Sequence, residues 1–362
     1  VLLEHQTPGV YVEELSSGVR VIQAVPIATT VFIGRATTGS INVPTHIFNY
    51  ADFKTHFGGA SDNNYFARVV SDFFNNGGER AIVVRLGKAK PQAAFKSAFH
   101  VLNDTEFHLL CIPPYDDGDV DLRIWHAAAE FCEKRRAFLI IDPPITWLDT
   151  ATAVQGVVEL PASANAAVYY PRFTHGVPCG AIAGIYARTD AAYGVWKAPA
   201  GTEATLLGVS GLSQKLNDTD SDQLNQVNVN GLRKLTQFGL VVWGARTLAG
   251  NDNEWRYVPV RRLALFVEES IYQGTKWVVF EPNDESLWST LRQSIAGFLY
   301  NLFREGAFPA ATTSDAYLVR CDRTTMTQSD IDAGRVIIEV GFAPLKPAEF
   351  VIIRFQRQTI AN

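Results

Sequence analysis

AIVVRL at residues 81–86, PQAAFKSAFHVL at 91–102, FHLLCI at 107–112, DLRIWHAAAEFCEKRR at 121–136, AFLII at 137–141 and AAVYY at 166–170 alternate short apolar runs with longer periodic ones. Runs of five or six residues that are almost wholly apolar read as strands buried on both faces, and the longer runs read as helices. Pro91 opens the first helix at a position where its missing N–H costs nothing. Leu122, Trp125, Ala129 and Cys132 fall on one side of the second. Pro143-Pro144 stops the strand at 137–141, and a helical stretch at 151–160 leads to the strand at 166–170. Strand and helix in turn predict βαβ units around a mostly parallel sheet covered on both faces.

Working toward the N-terminus, Thr30 to Gly34 reads as a further strand and Asn63 to Asn76 as a helix, with Phe66, Val69, Val70 and Phe73 at helical spacing and Gly77-Gly78 at its end. The first twenty residues stand apart. Thr7-Pro8-Gly9 is a turn, and only Val10-Tyr11-Val12-Glu13-Glu14-Leu15 follows before Ser16-Ser17-Gly18. One strand cannot stand alone.

Toward the C-terminus, the polar stretch Asn217 to Asn230 suits an exposed loop and suggests a boundary or insertion. Then come a strand at 240–243, a helix near 259–272, a strand at Trp277 to Phe280 and a long helix from Asn283 to Glu305. In that helix Leu287, Leu291, Ile295, Phe298 and Leu302 form a stripe flanked by Trp288, Leu299 and Phe303, with Asn283 as N-cap and Gly306 after the end. The final segment alternates again, Val351, Ile353 and Phe355 on one face against Arg354 and Gln356 on the other. The expected architecture is α/β plus α+β: a compact two-domain body with a mostly parallel α/β sheet and extended N- and C-terminal β-arms. Its parts are an arm at 1–20, an N-terminal and α/β middle domain at 21–230, a C-terminal α+β domain at 231–350 and an arm at 351–362. Each arm could pair inside its own subunit or add a strand to a neighbour's sheet.

The chain has 362 residues, 47% hydrophobic and only 19% charged, against roughly 25% charged in ordinary soluble domains, so it reads as one that hides surface against other chains. The net charge is -5 with no basic block, which argues against direct nucleic-acid binding. No apolar run approaches the roughly 18 residues of a membrane span, so no membrane insertion is expected, and Glu4 with no basic stretch ahead of an apolar run does not read as a secretory signal. Cys111, Cys132, Cys179 and Cys321 lie far apart, as reduced thiols would.

The familiar signatures of catalysis are missing. His46 with His56 and His100 with His108 lack metal-site spacing, so no metal is expected. Gly208-Val209-Ser210-Gly211 lacks the last glycine of a nucleophile elbow, and Leu212 stands there. Gly176, Gly180 and Gly184 suit close backbone packing rather than a phosphate turn. Asp142 ends a strand where an α/β enzyme could place a carboxylate, but Pro143-Pro144 supplies a structural reason for the break. Neither a catalytic residue nor a cofactor is expected.

Several phrases resemble those of the tail sheath proteins of contractile phages and related contractile injection systems. They are Thr7-Pro8-Gly9-Val10-Tyr11-Val12-Glu13-Glu14, Phe32-Ile33-Gly34-Arg35-Ala36, FKTHFGG at 53–59, AGIYARTD at 183–190, GVWKAPAG at 194–201, Val260-Arg261-Arg262, Phe280-Glu281-Pro282-Asn283-Asp284, Cys321-Asp322 and APLKPAEFV at 343–351. They run through nearly the whole chain in the family's order. The resemblance implies a compact sheath subunit, not an enzyme, that partners itself in helically stacked hexameric rings, encloses an inner tail tube protein and meets baseplate and terminator proteins. It implies assembly in a bacterial cytoplasm and a place in a phage virion tail or a released injection particle. A baseplate-proximal or terminal sheath isoform is the alternative, with an α/β enzyme further off. For the subunit interface the expected residues are Val10, Tyr11, Val12, Glu13 and Glu14 in one arm and Val351, Ile353, Arg354, Phe355 and Arg357 in the other, whose charges are opposite. Arg292 and Gln293, on the polar face of the long helix, are the tube-facing candidates.

Overall fold

The computed structural model describes residues 20–59, 65–87, 91–114, 118–250 and 252–349. Its strands are β1 (Thr30–Gly34), β2 (Thr45–Ile47), β3 (Ala81–Arg85), β4 (Leu109–Cys111), β5 (Phe138–Ile141), β6 (Ala166–Tyr170), β7 (Asn230–Leu235), β8 (Gly239–Trp243), β9 (Tyr317–Arg320) and β10 (Glu339–Phe342). Its helices are α1 (Tyr50–Phe57), α2 (Tyr65–Asn75), α3 (Pro91–Val101), α4 (Leu122–Lys134), α5 (Thr150–Gly156), α6 (Cys179–Tyr193), α7 (Asp218–Gln226), α8 (Val258–Gly274), α9 (Glu285–Arg304), α10 (Thr313–Ala316) and α11 (Gln328–Asp332). They fall into two compact units, one holding Val25–Glu269 and the chain from Pro344, the other the residues up to Ala24 and Ser270–Ala343.

The first unit is built on an eight-stranded sheet in the order β2-β3-β1-β4-β5-β6-β7-β8, parallel from β3 to β7 with an antiparallel strand at each edge. Side chains alternate faces along each strand, and that sorts the core into two layers. Phe32, Val83, Leu109, Phe138, Ile140, Ala167 and Tyr169 pack with α1, α2 and α6, whereas Val31, Ile33, Ile82, Leu110, Leu139, Ile141 and Val168 pack with α3, α4, α5 and α7. Glycine lets α6 reach α2: a Cβ on Gly180 would lie 2.0 Å from the Val69 carbonyl oxygen, and one on Gly184 2.4 Å from that of Phe73. The expected close backbone packing holds for Gly180 and Gly184, whereas Gly176 stands at a φ of +110°, where a Cβ would meet only side chains, the closest Arg68 at 3.4 Å.

Sequence expectation and structure part in several places. Asn217 to Asn230 is no loop, and the sheet does not end at 230. Asn217 caps α7 in a reciprocal box with Asp220, Leu224 is fully buried, and the polar residues are the solvent face and acidic first turn of a helix. Asn230 then begins β7, so the expected limit between residues 230 and 231 falls inside the first unit. On α4, Leu122 is exposed while Ile124 and Ala128 join Trp125, Ala129 and Cys132 in the core, which rotates the buried face from the expected one.

In the second unit, Leu287, Trp288 and Leu291 of α9 pack with Cys321 and Met326, and Trp277 and Val278 lie against them. The expected strand at 277–280 is a 3-10 turn, Lys276–Val278. A short apolar run does not reveal its own periodicity, and here Trp277 and Val278 serve the helix core instead of a sheet. Asp284, not Asn283, caps α9, accepting the Leu287 N–H at 2.9 Å, while the Asn283 side chain accepts the Trp288 indole N–H at 2.7 Å. The expected stripe is buried throughout, and Phe303 is half-buried. β9 and β10 form a two-stranded antiparallel ribbon.

Candidate functional site

The interface residues expected in the arms, Val10, Tyr11, Val12, Glu13, Glu14, Val351, Ile353, Arg354, Phe355 and Arg357, lie outside the described residues. The roots of both segments are inside them. On the N-terminal side the Arg20 guanidinium lies 4.4 Å from the centre of the Trp277 ring, and Ile22 is buried against Gly274, where a Cβ would come within 2.8 Å of it. On the C-terminal side Glu349 is gripped by Arg246, whose Nε and Nη2 donate to its two oxygens at 2.9 and 2.5 Å, and the Tyr257 hydroxyl adds a third hydrogen bond at 3.3 Å. Arg246 is held in turn. Its Nη1 donates to the Asn225 carbonyl, and its backbone N–H and carbonyl are both bonded by the Asn230 side chain. Nothing in sequence spacing pairs residues so distant, and Asn230 itself closes the stretch whose polarity suggests a loop.

The β9–β10 ribbon is the described strand pair with the least sheet around it. Tyr317, Val319, Val340 and Phe342 form its inner face and are only half-buried, although Phe308 packs against Tyr317 and Phe342 with ring centres 6.3 and 5.9 Å away. Leu318, Arg320, Glu339 and Gly341 face outward and are exposed. Among the described residues no strand pairs with either outer edge. Two strands alone are marginally stable, and an unpaired edge is a template for another strand.

Arg292 and Gln293 sit adjacent on α9 but in different circumstances. Arg292 donates to the Cys321 carbonyl and, at 2.7 Å, to the Glu285 carboxylate, so it ties the helix to the chain after β9. Gln293 is exposed, and its amide reaches only Ser289 Oγ, at 3.4 Å.

Two of the family-like phrases meet in the core. Asp190 closes AGIYARTD on α6, Arg262 closes Val260-Arg261-Arg262 on α8, and they form a two-pronged ion pair at 2.8 and 2.5 Å with both side chains under 5% exposed. The guanidinium also lies 4.6 Å from the centre of the Tyr186 ring, and the Tyr186 and Tyr169 hydroxyls share a 2.5 Å hydrogen bond. Burial pushes both phenols well above their ordinary range, so they remain neutral donors and acceptors. The same burial, with Arg262 nearby, lowers His108 to about 4 and keeps it neutral.

An α/β enzyme would hold a ligand at the carboxyl ends of its parallel strands. With β1 between β3 and β4, the switch point lies at the carboxyl ends of β1 and β4. There Gly34 meets the Phe66 ring, which a Cβ would approach within 2.4 Å. A hollow of about 410 Å³ is lined by Leu122, Trp147, Asp119 and Glu159. Asp119 is engaged by Arg172 and by the Ile145 N–H. Asp142 accepts the Cys179 N–H at 2.8 Å at the start of α6, and burial raises it to about 6. Ser210 lies in an exposed loop. Among the described residues no cluster of three His, Cys, Asp or Glu side chains could hold a metal ion, all four cysteines are free and buried, and no helix is long and apolar enough to cross a membrane.

Residues 88–248 match the phage tail sheath protein central domain, and residues 250–358 match the phage tail sheath C-terminal domain. A putative prophage major tail sheath protein of Pseudomonas aeruginosa is 27% identical over 61% of this chain and 51% of its own length. The tail sheath protein of Enterobacteria phage T4 is 28% identical over 49% of this chain and 27% of its own. The chain thus spans about a quarter to a half of these curated relatives. Solved structures match from end to end. The helical sheath of the anti-feeding prophage in its contracted state is 32% identical over 98% of this chain and 100% of its own, with a TM-score of 0.82. The PVC sheath complex of an extracellular contractile injection system, also contracted, is 30% identical over 99% of each chain, again with a TM-score of 0.82. A chain of the sixfold-symmetrised anti-feeding prophage baseplate is 32% identical over 98% of this chain, with a TM-score of 0.81.

Proposed function

Because the chain belongs to the phage tail sheath family, we propose that it is the subunit of a contractile sheath, polymerising as helically stacked hexameric rings around an inner tail tube and contracting to drive that tube through a target envelope. The observation that carries this reading is the likeness over its whole length to a helical sheath solved in the contracted state. The work of contraction needs no nucleotide. At about 25 cal/mol per Å², a few hundred Å² of additional apolar contact per subunit releases several kcal/mol, multiplied over many copies. The role is structural rather than catalytic: near the sheet's carboxyl ends Asp119 is engaged by Arg172 and the Ile145 N–H, and one oxygen of Asp142 accepts the Cys179 N–H.

In this reading the two terminal arms exchange strands between subunits, and the β9–β10 ribbon receives them. Its half-buried inner face and open described edges are what support the choice of acceptor. The arms then tether neighbouring subunits while their bodies slide and rotate. Gln293, exposed on α9, is the freer of the two proposed tube contacts, since Arg292 is already engaged within the fold. The sheath meets a baseplate at one end and a terminator at the other, is assembled in the bacterial cytoplasm and acts in a phage tail or a released particle.

The test is electron microscopy with sedimentation of the purified chain: rings or tubes at tens of micromolar support the reading, and a monomer alone overturns it. The equal likeness to a baseplate chain favours a second reading, a sheath ring next to the baseplate. Labelling the chain in native particles separates the two, since a main sheath protein decorates the whole tail and a baseplate-proximal one only its end.

A further inference from the structure

Phe280 follows the 3-10 turn Lys276–Val278 with a φ of +75°, and its side chain is fully exposed, with Val279 beside it 65% exposed. A bulky residue other than glycine seldom adopts the left-handed region, and a strained position that holds an apolar ring out into water points to function rather than to folding. Lys276 and Glu281 flank this knob, and the Glu281 carboxylate has no partner among the described residues. Elsewhere, at the amino ends of β1 and β3, lies a hollow of about 270 Å³ walled by Pro26, Ile27, Ala187 and Ala191, with Glu79 and Arg80 at its rim. Among the described residues neither rim side chain makes an ion pair or hydrogen bond within the fold.

We infer that Phe280 of one subunit seats in this hollow of a second copy, a contact that rests on the sheath reading above. The hollow is smaller than the roughly 300–1,000 Å³ of small-molecule sites and suits a single aromatic side chain. The charges on either side complement one another, Glu281 with Arg80 and Lys276 with Glu79. A knob and a hole formed by different residues make a heterologous contact, which closes into a ring or propagates as a helix according to the rotation between copies.

Cross-linking reads the contact directly, because the four native cysteines are buried. Phe280→Cys and Ala191→Cys variants are made separately, then mixed and oxidised. The mixture should give a disulfide-linked dimer that neither variant gives alone, and a mixture that assembles without that dimer overturns the inference. Phe280→Gly, which relieves the backbone, should leave the subunit's melting temperature equal or higher while raising its critical concentration for assembly at least tenfold. Ala191→Trp, which fills the hollow, should raise it likewise. Unchanged critical concentrations in both variants also overturn the contact. A wild-type chain that never polymerises overturns the sheath reading instead, and the cross-linked mixture still decides whether knob meets hollow.

Discussion

Arg246 and Glu349, 103 positions apart in sequence, meet in a two-pronged ion pair whose side chains are 11% and 17% exposed. The pair ties the last described residue of the chain to the segment that Asn230 binds beside β7. In the proposed strand exchange, a C-terminal strand passed to a neighbour would need a fixed root to transmit force, and this pair would supply it.

Arg246→Met should cost about 1.5–3 kcal/mol, the scale of hydrogen bonds to a charged group. The loss should be local, with limited proteolysis cutting faster near residue 350 and the melting temperature falling by several degrees. Arg246→Glu with Glu349→Arg should recover part of both. Proteolysis unchanged by Arg246→Met would remove the anchoring role.

Asp190→Ala should destabilise the first unit by about 3–5 kcal/mol, because it strands the buried Arg262 without its counter-charge. Asp190→Leu combined with Arg262→Met should cost less than Asp190→Ala, since no buried charge remains. Urea denaturation of the three proteins checks the order. A double variant less stable than the single one would mean that the pair contributes net stability.

Burial raises Asp72 from 3.8 to about 7 and Asp142 from 3.8 to about 6. A carboxyl with a higher pKa in the fold than in the unfolded chain holds its proton more tightly there, so its contribution is complete below about pH 4 and is lost as pH rises through 6 and 7. Asp72→Asn with Asp142→Asn should therefore match the wild type near pH 4 and exceed it at pH 8 by a few kcal/mol, since a tenfold difference in proton affinity is worth about 1.4 kcal/mol. Stability curves that stay parallel from pH 4 to 8 would contradict this.

Deleting residues 1–15, or 351–362, should abolish extended tubes and leave a folded body, because the eight strands described for the large sheet all lie between residues 30 and 243. Reversing Arg354 and Arg357 should do less, since cross-strand charge pairs contribute only about 0.2–1 kcal/mol each. Glu13→Lys with Glu14→Lys should partly rescue that reversal. Circular dichroism and electron microscopy decide it: a truncated chain that still builds extended sheath, or one that loses its fold, would sink strand exchange.

The sequence alone determined the βαβ core, because strands buried on both faces must be apolar at nearly every position, and AIVVRL and AFLII can be little else. It determined the family too, through phrases such as AGIYARTD that run the length of the chain. It misleads at Asn217 to Asn230, where one buried leucine and a capping box make a helix from residues whose polarity belongs to the solvent face. It also misleads at 277–280, because four residues are too few to show a period and the choice between strand and turn falls to the helix core that Trp277 joins. The pairs Arg262 with Asp190 and Arg246 with Glu349 were decided by tertiary structure alone. Periodicity is a local property that tells which way a side chain faces, and the identity of a partner across the fold depends on where the whole chain has brought it.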